Sequence, residues 1–159
     1  MEKDVLFGGV PSEVEILEFK AGGNSYGMNV SDVKEILSYS NKPTLIPNSH
    51  PFIEGIIMPR DFIIPIINFI SSLKLKDIDE EKNEMLIVTE INDQNIAIHV
   101  DSVVGIYRVM NTDISKPGKK LSTSQKDYVI GILNREDRHV EIVELRKIIK
   151  DINPEVNVG

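Results

Sequence analysis

The chain carries the same pattern twice, about 70 residues apart. Leu17 to Ile36 (LEFKAGGNSYGMNVSDVKEI) overlays Ile87 to Ile106 (IVTEINDQNIAIHVDSVVGI), which sets Val30, Val33 and Ile36 on Val100, Val103 and Ile106. Met28 falls on Ile98, and Pro47 on Pro117 at the same offset. After a small insertion in the second copy the match resumes. Gly55-Ile56-Ile57 falls on Gly131-Ile132-Leu133, and Ile66-Ile67-Asn68-Phe69 on Ile142-Val143-Glu144-Leu145. Self-similarity at a fixed period marks a repeated structural unit. Two copies of a β-rich unit of this size predict two small barrels facing each other, with a seam between them where a partner can lie.

Within each unit the turn residues set the strand limits. The first strand is expected near Val14 to Lys20, a hairpin turn at Ala21-Gly22-Gly23-Asn24 and a second strand from Ser25 to Val30. Gly and Asn accept the positive φ that such turns need. Ser31-Asp32 reads as the cap of a short helical turn running through Glu35. Pro43, Pro47 and Pro51 then forbid a regular helix or a central strand and predict an ordered crossing loop. Two apolar runs, Ile53 to Met58 and Phe62 to Phe69, flank Pro59-Arg60-Asp61, the composition of a tight hairpin with Arg60 at its tip.

The second unit follows in the same order. Strands are expected at Met85 to Ile91 and Ile96 to Val100, a helical turn opening at Asp101, and a hairpin of Val129 to Leu133 and His139 to Val143. Apolar residues at 145, 148, 149 and 152 form a helical stripe, so the chain is expected to close with an amphipathic helix ended by Asn153-Pro154. The expected organisation is a tail at 1–13, repeat units at about 14–73 and 85–152 within one domain spanning 14–152, a charged connector at 74–84, and a tail or linker stub at 153–159. The acidic spacing of the connector lacks the glycine of a calcium loop, so it reads as solvated.

Composition excludes several functions. The net charge is −7 over 159 residues, which argues against nucleic acid or an anionic membrane as the main partner, because phosphate binding needs clustered Lys and Arg. No cysteine is present, which removes disulfides, Cys-zinc sites and thiol catalysis. The opening residues show no signal peptide and no apolar run of membrane-spanning length, so the cytoplasm is the expected compartment. His50, His99 and His139 lie far apart without ligand spacing, and no phosphate-binding loop, zinc motif or nucleophile elbow occurs. Alternation with Ile96, Ile98 and Val100 predicts that His99 faces outward. The reading is a non-enzymatic binding module with no cofactor and no metal. A β-barrel ligand-binding or sensor domain using the inter-barrel groove is the alternative.

Phe19 through Ile36, Pro47, Pro51, Ile53-Glu54-Gly55-Ile56-Ile57 and Arg60 through Phe69 (RDFIIPIINF) together resemble the CheW-like chemotaxis coupling family. The resemblance runs from about 13 to 152. Val5 to Gly9, Pro47-Asn48-Ser49-His50-Pro51 and Asp151-Ile152-Asn153-Pro154 are most similar to the N-terminal coupling domain of CheV proteins, which carry a receiver domain beyond it. The chain stops at Gly159, as a single-domain relative or a fragment cut at the linker would.

The resemblance implies a mainly β fold of two pseudo-symmetric, SH3-like, five-stranded barrels with short helical turns and a C-terminal helix. It implies an adaptor between chemoreceptor cytoplasmic tips and the regulatory domain of the histidine kinase CheA. The positions that carry over as receptor-binding are Arg60, Asp61, Glu35, Val33 and Ile36. Val33 and Ile36 have repeat equivalents, so core packing is an equal reading for them. Asp61 stands where the family has glycine and Asn68 where it has aspartate. The new carboxylate is placed to pair with Arg60 or to repel an acidic receptor segment.

Overall fold

The computed structural model describes residues 10–40, 42–78 and 82–152. Most of the tail at 1–13, part of the connector and the expected helix stop at Asn153-Pro154 lie outside them. Ten strands form two five-stranded sheets, each curled into an SH3-like barrel. The strands are β1 (Glu13–Ala21), β2 (Asn24–Asn29), β3 (Val33–Ser38), β4 (Ile53–Ile57), β5 (Ile64–Asn68), β6 (Met85–Ile91), β7 (Gln94–Val100), β8 (Ser102–Met110), β9 (Val129–Arg135) and β10 (Arg138–Val143). The helices are α1 (Phe69–Ser72) and α2 (Leu145–Ile152).

The order of the strands shows how the repeats combine. One barrel runs β8-β1-β2-β10-β9 and the other β3-β6-β7-β5-β4. Each repeat therefore keeps its first hairpin in one barrel and sends its last three strands to the other. The registers obey a two-fold throughout. Leu17 pairs with Ile106 as Ile87 pairs with Ile36, and Ile142 with Gly27 as Ile66 with Ala97. Even the bulges correspond, skipping Val104 opposite β1 and Lys34 opposite β6. Thr44 bridges Ile56 as Ser115 bridges Ile132, which is 71 residues, so the insertion begins before the Pro47 and Pro117 match.

Three apolar clusters hold the fold. Ile16, Ile114, Leu133, Val140 and Ile142 fill the first barrel, and Ile64, Ile66, Leu86, Val88 and Ala97 the second. The largest cluster lies between the barrels and joins Phe19, Tyr26, Phe69, Ile87, Ile98 and Ile148. Phe19, Tyr26 and Phe69 form a ring trio with centroids 5.0 to 6.0 Å apart. The strand exchange means that neither barrel can form without both repeats. Gly55 allows a close approach, since a Cβ there would lie 2.4 Å from the Thr44 carbonyl oxygen.

Two sequence expectations fail at the same pseudo-equivalent place. The helical turn through Glu35 is a 3-10 turn of Val30–Asp32 only, capped by Asn29, whose side chain accepts the Ser31 N–H at 2.9 Å. Glu35 lies in β3. After Asp101 the chain enters β8 directly, and the Asp101 carboxylate accepts the Gly22 N–H at 2.9 Å rather than capping a helix. In both copies the long-range ladder to β6 or β1 satisfies more backbone groups than one helical turn offers. His99 is the third departure. It points into the second barrel, packed with Tyr39 and between two glutamates. The strand has no wet face, because the shared core covers one side and the barrel interior the other.

Candidate docking surface

Residues Val33 to Ile36 and the β4–β5 hairpin form one surface. β4 and β5 pair as far as Ile57 and Ile64, which leaves Met58 to Ile63 as the connection. This loop is longer than a tight hairpin, and Phe62 and Ile63 stand outside the strands with more than half their surface exposed. Arg60 and Asp61 both take the left-handed conformation, with φ of 51° and 68°. That backbone is costly for a non-glycine residue. It turns the Arg60 side chain toward β3, where the guanidinium pairs with the Glu35 carboxylate.

Lys34, the residue skipped by the bulge, sits 5.5 Å from the centroid of the Phe62 ring. The hairpin is thus held to β3 by an ion pair and a cation–π contact. The ion pair is exposed, with 62% of the Arg60 side chain accessible, so it contributes about 0.2–1 kcal/mol. The entry to β3 is fixed from the other side. Arg146 at the start of α2 makes a two-pronged contact with Asp32, at 2.9 and 3.0 Å. A planar guanidinium on a carboxylate sets orientation as well as distance.

The structure therefore brings Arg60 and Glu35 together and leaves the Asp61 carboxylate exposed, without an ion pair among the described residues. Asp61 does not neutralise its neighbour. Val33 and Ile36 are half-buried and pack against the shared core, so packing uses much of their surface. Exposed apolar side chains stand close by in sequence, at Met58, Phe62 and Ile63.

Two polar networks were not anticipated. In the second barrel, His99 stacks on Tyr39 with centroids 3.8 Å apart. One ring nitrogen meets Glu54 and the other lies 2.9 Å from Glu84. Burial favours the neutral ring, but contact with Glu54 and Glu84 outweighs it, and the His99 pKa is raised above its ordinary 6.5. Burial would also raise the Glu54 pKa, yet His99, Tyr39 and Asn68 together hold it below 4.5. In the first barrel, Glu18 is fully buried and accepts from the Tyr107 hydroxyl at 2.8 Å and from Arg138 at 2.7 and 3.1 Å. Glu54 and Glu18 are each engaged from several sides, while His99 and Glu84 also line a shallow pocket with Asp77, Lys82 and Asp101. Among the described residues no group of acidic and histidine side chains fits a metal ion, and no helix is long and apolar enough to cross a membrane. The sequence signal for both networks is an ionisable residue inside an apolar strand, where Glu18 falls on Val88.

Comparison with known proteins agrees with this architecture. The chemotaxis protein CheW of Thermotoga maritima is 28% identical over 88% of this chain and 90% of its own length. The chemotaxis protein CheV3 of Helicobacter pylori is 29% identical over 89% of this chain, which spans 49% of that protein. The crystal structure of the scaffolding protein TtCheW from Thermoanaerobacter tengcongensis superposes with a TM-score of 0.78 at 27% identity, covering 96% of this chain and 95% of that one. The CheW-like domain family matches residues 15–153, and the chain belongs to that family.

Proposed function

We propose that the protein is a cytoplasmic, non-enzymatic chemotaxis adaptor that couples chemoreceptor tips to the histidine kinase CheA. The observation that carries the reading is the family match over nearly the whole chain, on a fold whose carried-over surface residues converge. Arg60, Glu35 and Asp61, with Val33 and Ile36 behind them, present a small charged patch beside exposed apolar side chains. A receptor tip is a helical hairpin, and a helix docks by laying apolar side chains against such a surface while charges fix its register. The Arg60–Glu35 pair and the Lys34–Phe62 contact already hold the hairpin against β3, which lowers the order lost on docking.

Asp61 gives the patch a carboxylate beyond the Arg60–Glu35 pair. We infer that it favours receptors with a basic residue at the contact, and Asp61→Gly is expected to shift preference toward acidic ones. Unchanged affinity across a receptor panel would remove that inference. The adaptor reading itself is tested by calorimetric titration with the regulatory domain of the CheA from the same organism. Saturable one-to-one binding of about micromolar affinity is expected for a transient signalling contact. A folded protein that gives no heat at ten times that concentration would contradict it.

A further inference from the structure

The second barrel has an open groove whose counterpart on the first barrel is filled by the chain itself. The groove is about 510 Å³ in volume, with Pro65, Ile67, Ile96 and Ile149 on its floor, Ile63 at its side, and Asp93, Gln94 and Asn95 along one rim. None of the five residues of the docking patch lines it. The two-fold places Glu141, Val143, Tyr26 and Leu73 where Pro65, Ile67, Ile96 and Ile149 stand. All four counterparts are buried.

The segment Leu121-Ser122-Thr123 covers them. Ser122 donates its N–H to the Glu141 carboxylate at 2.8 Å and its hydroxyl at 3.0 Å, and its Oγ lies 2.6 Å from the Tyr26 hydroxyl. The Thr123 hydroxyl donates to the Leu73 carbonyl, and Leu121 packs on the shared core. This cover comes from the insertion in the second repeat. After the bridge residue, the loop runs 116–128 in that copy and only 45–52 in the first. The first copy has the floor without the cover.

The differences between the two floors indicate what the open one accepts. Pro65 and Ile96 replace the carboxylate and the hydroxyl that hold Ser122, so the floor offers apolar contact alone. The polar groups are confined to the rim, where the Asp93 carboxylate has no ion pair among the described residues. The one charged residue among Asp93, Gln94 and Asn95 is Asp93, with Lys34 reaching the far end of the rim at Asn95 (3.4 Å). A chain of net charge −7 is a poor partner for itself at that carboxylate. The cover on the first barrel is itself preceded by Lys119-Lys120. We propose that the groove receives a short extended segment of a partner protein, with one large aliphatic side chain on the floor and a Lys or Arg beside it facing Asp93. This adds a contact surface beyond the five-residue receptor patch, and the two meet at Ile63.

The test uses the full chain with labelled isoleucine methyls, titrated with a capped synthetic peptide of its own cover sequence, Lys119 to Ser124. Saturable shifts are expected at Ile63, Ile96 and Ile149. Affinity should fall at least tenfold when the peptide carries Leu121→Asp or the protein carries Ile63→Glu, and should weaken as salt rises. Ile63 is 66% exposed, so the variant should keep its fold, which the remaining methyl signals verify. Lack of saturable shifts, or shifts indifferent to Ile63→Glu, would overturn the proposal. Groove shifts that grow with protein concentration alone would assign it to a second copy. Shifts produced by deleting 153–159 would assign it to the chain's own end. Either would overturn it as well. Kinase binding is read in a separate titration, so its failure and this one are distinguishable.

Discussion

The two barrels share a backbone and differ in what they bury. The first places Glu18 in its interior with Tyr107 and Arg138, where the second has Val88 and Leu37 at the positions of Glu18 and Tyr107. The second puts its charges elsewhere, around His99 and Glu54, where the first has Asn29 and Ile130. The pairing register is common to both, down to the bulges. The backbone pattern thus comes from spacing that the repeats share, while interior chemistry varies wherever a buried polar group arrives with its own partners. A carboxylate in a barrel is tolerable when its own lone pairs are engaged, as those of Glu18 are. The Arg135 guanidinium stacked on the Tyr107 ring nonetheless keeps a buried Nε without a partner among the described residues.

Breaking the Glu18 network should have the largest effect. Glu18→Ala leaves the Tyr107 hydroxyl without its acceptor, which is expected to cost about 1–3 kcal/mol. The void it opens adds to that, while the partly exposed Arg138 keeps Glu136. Writing the second barrel into the first, with Glu18→Val and Tyr107→Leu together, should recover most of that loss. Urea unfolding of both variants measures it. A double variant no more stable than Glu18→Ala would show that the barrels are not interchangeable inside.

The next effect concerns volume. Gly27 and Ala97 are equivalent, but a Cβ at Gly27 would meet Ile16 at 2.8 Å and Ile142 at 2.9 Å. Gly27→Ala is expected to destabilise by about 1–3 kcal/mol through overpacking. A neutral result would mean that the first barrel relaxes as readily as the second.

The charge networks should separate the barrels by pH. The raised His99 pKa gives stability that is complete below pH 6.5 and is lost as pH rises through the folded value. The lowered Glu54 pKa gives stability that is complete above pH 4.5 and is lost as pH falls through its folded value. The second barrel is therefore best clamped between those limits. His99→Gln should flatten the fall in melting temperature above pH 6.5, and an unchanged slope would place that fall elsewhere. The smallest stability effect is expected for Arg60→Ala, within about 1 kcal/mol. Its larger consequence should be in receptor affinity.

Much of this was legible in the sequence. The repeat, the hairpin turn within Ala21–Asn24 and the helical stripe at 145 to 152 fall where residue spacing and turn chemistry put them. The strand exchange was not, because linear order does not say whether β3 pairs with its own β1 or with β6 of the other copy. β3 and β8 were misread at Ser31-Asp32 and Asp101 for the same reason, since the ladders that define them are long-range. His99 was misplaced because alternation predicts one wet face, and β7 has none. At the docking patch, the resemblance supplied Arg60 and Glu35 as separate residues. Their pairing depends on the left-handed backbone at Arg60, which no side-chain pattern announces.

The coupling account rests on one chain engaging two partners at once. The most direct measurement is sedimentation of this protein with both the kinase regulatory domain and a receptor tip fragment. The account predicts a ternary species, with Arg60→Ala losing the receptor from it while keeping the kinase. Two mutually exclusive binary complexes would contradict it.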